Sequence, residues 1–111
     1  MAWNILLFET ARGDKPVEDF IKPLSSSSRS KVIHMIRLLK QFGTFLNMPH
    51  SKKITKDIYE LRVKGKEEIR IFYAPFGRKI YLLHAFKKKS QKIQSKEIKL
   101  AEQRLKALDK I

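Results

Sequence analysis

Apolar positions recur with a helical period before Pro49 and alternate after it, which divides the chain into a helical first half and a stranded second half. Trp3 to Phe8 is a short apolar run and predicts a first strand. Lys15 to Ile21 predicts a short helix, with Pro16 in its first turn, where a missing N–H costs nothing, and Pro23 ending it. Ser25 to Ser28 offers N-caps for a second helix. In that helix Val32, Met35, Ile36, Leu39, Phe42 and Leu46 fall on one face, and Gly43, Asn47 and Pro49 close it.

Ile58 to Lys64 places Tyr59, Leu61 and Val63 on one side of a strand and Glu60, Arg62 and Lys64 on the other. Gly65-Lys66 reads as a turn. Glu68 to Tyr73 follows as a strand with Arg70 opposite Ile69, Ile71 and Tyr73, and Pro75 to Arg78 reads as a second turn. Lys79 to Phe86 is the most apolar strand and is expected at the centre of the sheet, covered on both faces. Ser95 is expected to cap a closing helix over 95–110, with Ile98, Ala101, Leu105 and Leu108 as its apolar stripe. The order β-α-α-β-β-β-α predicts an α+β fold, one domain over 1–111, with a mainly antiparallel sheet packed against helices.

Composition sharpens this picture. The apolar share of 42%, with seven Phe, three Tyr and one Trp, fits a folded domain rather than a disordered tail. The absence of Cys excludes disulfides, a thiol nucleophile and Cys-based metal sites. The apolar runs are too short to span a bilayer as a helix, and residues 1–14, with Glu9, Arg12 and Asp14, do not read as a signal peptide, so a cytoplasmic protein is expected. The net charge is +14 and unevenly placed. Residues 1–49 carry 7 basic and 4 acidic side chains, whereas 50–111 carry 18 and 7. Clusters such as Lys52-Lys53 and Lys87-Lys88-Lys89 point to a polyanionic partner rather than a merely solvated surface.

The polar side of the predicted hairpin carries the candidate chemistry. Arg62 and Arg70 would stand side by side across it, with Lys64 nearby, and like charges so placed need either interleaved Glu60, Glu67 and Glu68 or a bound phosphate. Phe72 is the aromatic candidate for base stacking on that side. Of the three histidines, His34 reads as a boundary residue, His84 as a hydrogen-bonded core residue, and His50, in a loop beside two lysines, as a candidate acid or base. Their spacing supports no metal site, and no Gly-rich phosphate loop or Gly-x-Ser-x-Gly elbow is present.

Several pieces in order carry a resemblance. They are Pro49-His50-Ser51-Lys52-Lys53-Ile54, Ile58-Tyr59-Glu60-Leu61-Arg62, Glu68-Ile69-Arg70-Ile71-Phe72-Tyr73, and Leu82-Leu83-His84-Ala85-Phe86 followed by Lys88-Lys89-Ser90-Gln91-Lys92. The chain resembles the HigB-like branch of the RelE/ParE toxin superfamily, which includes many phage-derived proteins. The resemblance implies a small RelE-like α+β fold similar to a microbial ribonuclease, and a toxin of a type II toxin–antitoxin pair. RelE and HigB members enter the ribosomal A site and cut mRNA, whereas ParE members poison DNA gyrase. It also implies a cognate antitoxin with a helix-turn-helix domain, through which alone operator DNA is bound, and no membrane partner.

Carried onto this chain, the family pattern gives Arg62, Arg70 and Lys89 as cations facing the scissile phosphate, with His50 as a weaker catalytic candidate. Lys52, Lys53, Lys64, Lys87, Lys88 and Lys92 are the candidate RNA-binding residues. Glu60 stands where RelE has a lysine, and residues 87–111 hold no aromatic side chain to match the RelE tyrosine. His50, His84, Tyr59 and Tyr73 are the alternatives for the proton-transfer role. The implied reaction needs neither metal nor cofactor: the RNA 2′-OH attacks the adjacent phosphate while cations stabilise the extra charge. A gyrase inhibitor on the same fold, or a basic nucleic-acid-binding domain without catalysis, are the competing readings.

Overall fold

The serine run does act as a cap. Ser25 Oγ accepts a hydrogen bond from the Ser28 backbone N–H at 3.2 Å, closing the open end of the long helix that follows. The computed structural model describes residues 2–108. Strand β1 is Asn4–Leu7, helix α1 is Pro16–Ile21 and helix α2 is Ser26–Phe42, continued by a single 3-10 turn at Gly43–Phe45. The strands β2, Ser51–Lys53, β3, Tyr59–Val63, β4, Ile69–Phe76, and β5, Lys79–Lys87, precede helix α3, Ser95–Leu108. Residues 109 and 110 of the expected closing helix lie outside the described residues.

The strands form one sheet in the order β1-β5-β4-β3-β2, antiparallel except for β1 against β5. The fold is the expected α+β arrangement, with four corrections. The segment taken as loop around Lys52 contributes β2, a three-residue edge strand too short to show a period. Strand β4 runs through Pro75 and Phe76, leaving Gly77, at φ +59°, and Arg78 as the turn. Pro75 is tolerated because β3 stops pairing with β4 at Tyr73, so that edge of β4 is free. The central strand is β4, not β5, because β1 adds beyond β5 and β2 beyond β3; β5 is nonetheless covered on both faces. Ser95 is the first residue of α3 rather than its cap.

Helices α1 and α2 lie on one face of the sheet. Val17, Val32, Met35 and Leu39 from these helices pack there on Leu61, Ile71, Tyr73, Ile80 and Leu82. On the opposite face Ala101, Ile98, Leu105 and Leu108 of α3 pack on Phe72, Ala74, Leu83 and Phe86. Among the described residues no helix is long and apolar enough to cross a membrane.

A β-bulge decides which face His84 joins. The β4–β5 register shifts at Phe72/Tyr73, so that Phe72 pairs with His84 while Tyr73 pairs with Leu82. The extra residue, Leu83, breaks the alternation and leaves Leu83, His84 and Phe86 all on the α3 face. Regular alternation from Leu82 would have turned His84 into the α1–α2 core.

Candidate functional site

Helix α3 covers only part of its face, and the remainder, over β2, β3 and β4, is where the sheet's charged residues gather. Strand pairing sets Lys52 opposite Glu60, Glu60 opposite Phe72 and Arg62 opposite Arg70, so the expected juxtaposition of the two arginines is present. Glu60 resolves their repulsion. Its Oε1 accepts from Arg62 Nε at 2.9 Å, and its Oε2 lies 3.5 Å from Arg70 Nε. Glu68 Oε1 sits 3.5 Å from Arg70 Nη2, while Glu67 is engaged elsewhere, 2.6 Å from Lys87 Nζ. That contact holds the Glu67 carboxyl below its ordinary value.

Burial makes this cluster unusual. The side chains of Glu60 and Arg70 are 1% and 5% exposed, and that of Arg62 is 20% exposed. Glu60 Oε2 and Arg70 Nε are both buried without a hydrogen bond. Glu60 is shared by two guanidiniums at a depth where water screens charge weakly, and the second carboxylate near Arg70, that of Glu68, is largely exposed. Above it opens a cleft of about 360 Å³, walled by Lys52, Lys88, Gln91 and Lys92, with Ile54 and Ile93 as its apolar lining. The arrangement suits an anion, with fixed guanidiniums at the floor and ammonium groups at the rim.

The fold therefore brings together Arg62, Arg70, Lys52, Lys88 and Lys92. It does not bring the other candidates into the cleft wall. Lys53 is one residue out of phase with Lys52 and lies over the Tyr59 ring at 5.9 Å, Lys64 is exposed beyond the end of β3, and Lys87 is paired with Glu67. Lys89 lines neighbouring hollows. His50 is exposed; its backbone carbonyl accepts from the Arg62 N–H at 2.8 Å, but its side chain is absent from the cleft lining.

The alternatives for proton transfer lie elsewhere. Tyr59 and Tyr73 stack on the α1–α2 side. Tyr73 is bonded to Ser51 Oγ at 2.5 Å, and burial raises its pKa against the opposing effect of that bond. His84 is boxed in by α3: its Nε2 lies 2.8 Å from Glu97 Oε1 and its Nδ1 3.3 Å from Arg104 Nη1. Arginine can only donate, so Nδ1 accepts and the proton sits on Nε2. Burial lowers the pKa of His84, against the raising effect of Glu97. Phe72 is on the polar side as expected, but α3 buries it completely.

Glu60 is the residue whose part the sequence left open, either a charge interleaved between the arginines or a departure from the RelE lysine. Its signal was present, as an acidic residue two positions before Arg62 on the same strand face, but nothing in the sequence shows that it is buried. Among the described residues no three His, Asp or Glu side chains group as a metal site.

The span from α1 to the end of α3 that builds this cleft is also the span a family shares: the sequence model of the family described as Phage derived protein Gp49-like (DUF891) matches residues 19–106. The chain belongs to the Gp49-like family. This is a toxin-like family related to the RelE and HigB toxins. The Gp49-like match includes Glu60, both arginines and the cleft lysines, and leaves out β1 and the start of α1. No curated protein matches the chain.

Proposed function

We propose that this Gp49-like chain is the toxin of a type II toxin–antitoxin pair and an endoribonuclease that cuts mRNA in the ribosomal A site. One observation carries the reading: a buried Glu60–Arg62–Arg70 cluster at the floor of a lysine-rimmed cleft. In this reading Lys52, Lys88 and Lys92 grip the RNA backbone, so binding falls steeply with salt. The substrate 2′-oxygen attacks phosphorus and gives its proton to Glu60 Oε2, a buried carboxylate oxygen without a hydrogen bond. Arg62 and Arg70 stabilise the charge of the pentacoordinate phosphorane. The bond from phosphorus to the 5′-oxygen breaks, a cleft lysine protonates that oxygen, and the products are a 2′,3′-cyclic phosphate and a 5′-hydroxyl.

A cytoplasmic antitoxin with a helix-turn-helix domain would neutralise the toxin by covering this cleft, and operator DNA would be reached only through it. The test is primer extension on an mRNA incubated with the purified chain, with and without translating ribosomes, beside Arg62→Ala. Discrete cuts that require ribosomes and vanish in the variant are expected. An uncut message overturns the reading.

A further inference from the structure

A second, larger hollow of about 440 Å³ adjoins the arginine cleft and shares Lys88, Lys92 and Ile93 with it. It lies where α1, the end of β5 and the first turn of α3 converge, and apart from the shared Lys88 and Lys92 its lining takes no part in the proposed reaction. Its lining is of three kinds. Phe20, Phe86 and Ile93 supply an aromatic and aliphatic wall. Lys88, Lys89, Lys92 and Lys96 rim it, and none of these four joins an ion pair among the described residues. Glu97 is the one carboxylate in the lining.

Glu97 is fixed rather than mobile. Its Oε1 accepts from His84 Nε2 at 2.8 Å, and the His84 ring is itself stacked on Phe86 at 5.3 Å and held from its other nitrogen by Arg104. A carboxylate braced in this way keeps one oxygen for its internal partner and offers the other to a ligand N–H. Lysines solvated on a plain surface do not enclose an aromatic wall and an oriented acceptor together. A flat apolar ring with N–H groups on its edge, joined to a phosphate, matches all three kinds of lining at once, and the volume falls in the ordinary range for such ligands.

We propose that this hollow is a nucleotide subsite, occupied by a nucleotide that neighbours the cleaved phosphate in the RNA strand as the strand passes from the arginine cleft across the 88–93 loop. The base lies against Phe20, Phe86 and Ile93, Lys89 and Lys96 hold its phosphate, and Glu97 accepts a base N–H. The inference rests on the reading of the chain as an RNA-cleaving toxin for its choice of ligand, but its test needs neither ribosomes nor cleavage.

The test is an NMR titration of the 15N-labelled full chain with guanosine 3′-monophosphate, whose base edge carries adjacent N–H donors, beside inorganic phosphate at matched ionic strength. Saturable shifts at Phe20, Phe86 and Glu97 with the nucleotide, absent with phosphate, are expected. Lys89→Glu combined with Lys96→Glu should weaken the apparent affinity about tenfold. Glu97→Gln, which keeps an acceptor for His84, should weaken it less, and unchanged resonances in the α1–α2 core report that each variant is folded. Equal shifts with phosphate alone, shifts confined to Arg62 and Arg70, or an affinity unchanged by the double variant would each overturn the subsite. An uncut message in primer extension with these shifts intact ends the nuclease reading alone; a cut message without them ends the subsite alone.

Discussion

The two faces of one sheet, built from alternate residues of the same strands, bury different things. Toward α1 and α2 the buried side chains are mostly apolar, with Ser51, bonded to Tyr73, and Ser28, bonded to Glu67, as polar exceptions. Toward α3 the sheet buries Phe72 and Leu83, but also Glu60, Arg70 and most of His84. Coverage explains the difference, because two helices close the first face while one 14-residue helix leaves part of the second bare. Charge persists on the half-covered face because its members form sets: a carboxylate with two guanidiniums, and an imidazole with a carboxylate and a guanidinium. An apolar face loses stability in proportion to the volume removed, whereas a charged set fails when the buried member that the others share is deleted.

Glu60→Ala tests that contrast most severely. It strands the buried Arg70 and the partly buried Arg62 without their shared carboxylate, at a cost of roughly 3–5 kcal/mol. Removing the partner as well should restore much of the loss, so Glu60→Leu with Arg70→Met is expected to denature later in urea than Glu60→Ala. If the double variant is the less stable, the cluster is not acting as a set. Ile71→Ala, fully buried on the opposite face, should cost about 3 kcal/mol, and no second substitution by a polar partner would recover it.

Gly43→Ala comes next, at the seam where α2 hands over to its 3-10 turn. A Cβ there would stand 2.0 Å from the Trp3 ring, and the backbone has φ +54°, a conformation side chains resist. The combined clash and strain should cost on the order of 2 kcal/mol, visible as a lower Tm with unchanged α3 contacts.

These sites differ in how far the sequence reveals them. The helices were legible because Pro16, the serine run and the 3.6-residue spacing are local signals, and Gly43 marked the end of α2 correctly. The facing of Arg62 and Arg70 was legible too, since alternation and a short connection fix it. Three things were not. Strand β2 is too short to show a period; the Leu83 bulge leaves no composition signal yet inverts His84; and depth depends on where α3 ends up. For that reason Lys52 and Lys53 looked equivalent, although only Lys52 lines the cleft, and Glu60 could be set between the arginines but not seen as the buried centre of their cluster.

The imidazole set on the α3 face also predicts a pH response near neutrality. The folded-state pKa of His84 is lowered by burial, so the unfolded chain takes up the proton first. Its contribution to stability is full above the unfolded value of about 6.5 and is lost as pH falls through the lower folded value. Tm should drop between about pH 7.5 and about pH 5.5, and the drop should shrink in His84→Gln, which retains a donor for Glu97. A drop of equal size in both proteins would assign it to other groups.

Arg62→Ala should have the smallest effect on stability and the largest on activity. Its side chain is the most exposed member of its cluster, it contributes one bond to Glu60, and Arg70 remains to balance the carboxylate once water enters the space. A loss of about 1 kcal/mol or less is expected, well below that of Glu60→Ala. Within the proposed reaction the same deletion removes a cation aimed at the developing phosphorane charge, which should lower cleavage by about 10²–10³-fold. Ile71→Ala should show the reverse, a large stability loss with cleavage preserved at a temperature where the variant is folded. Measuring urea midpoint and ribosome-dependent cleavage for both proteins separates a face built for cohesion from one built for chemistry. If Arg62→Ala loses both properties in proportion, the arginine is only another element of the core.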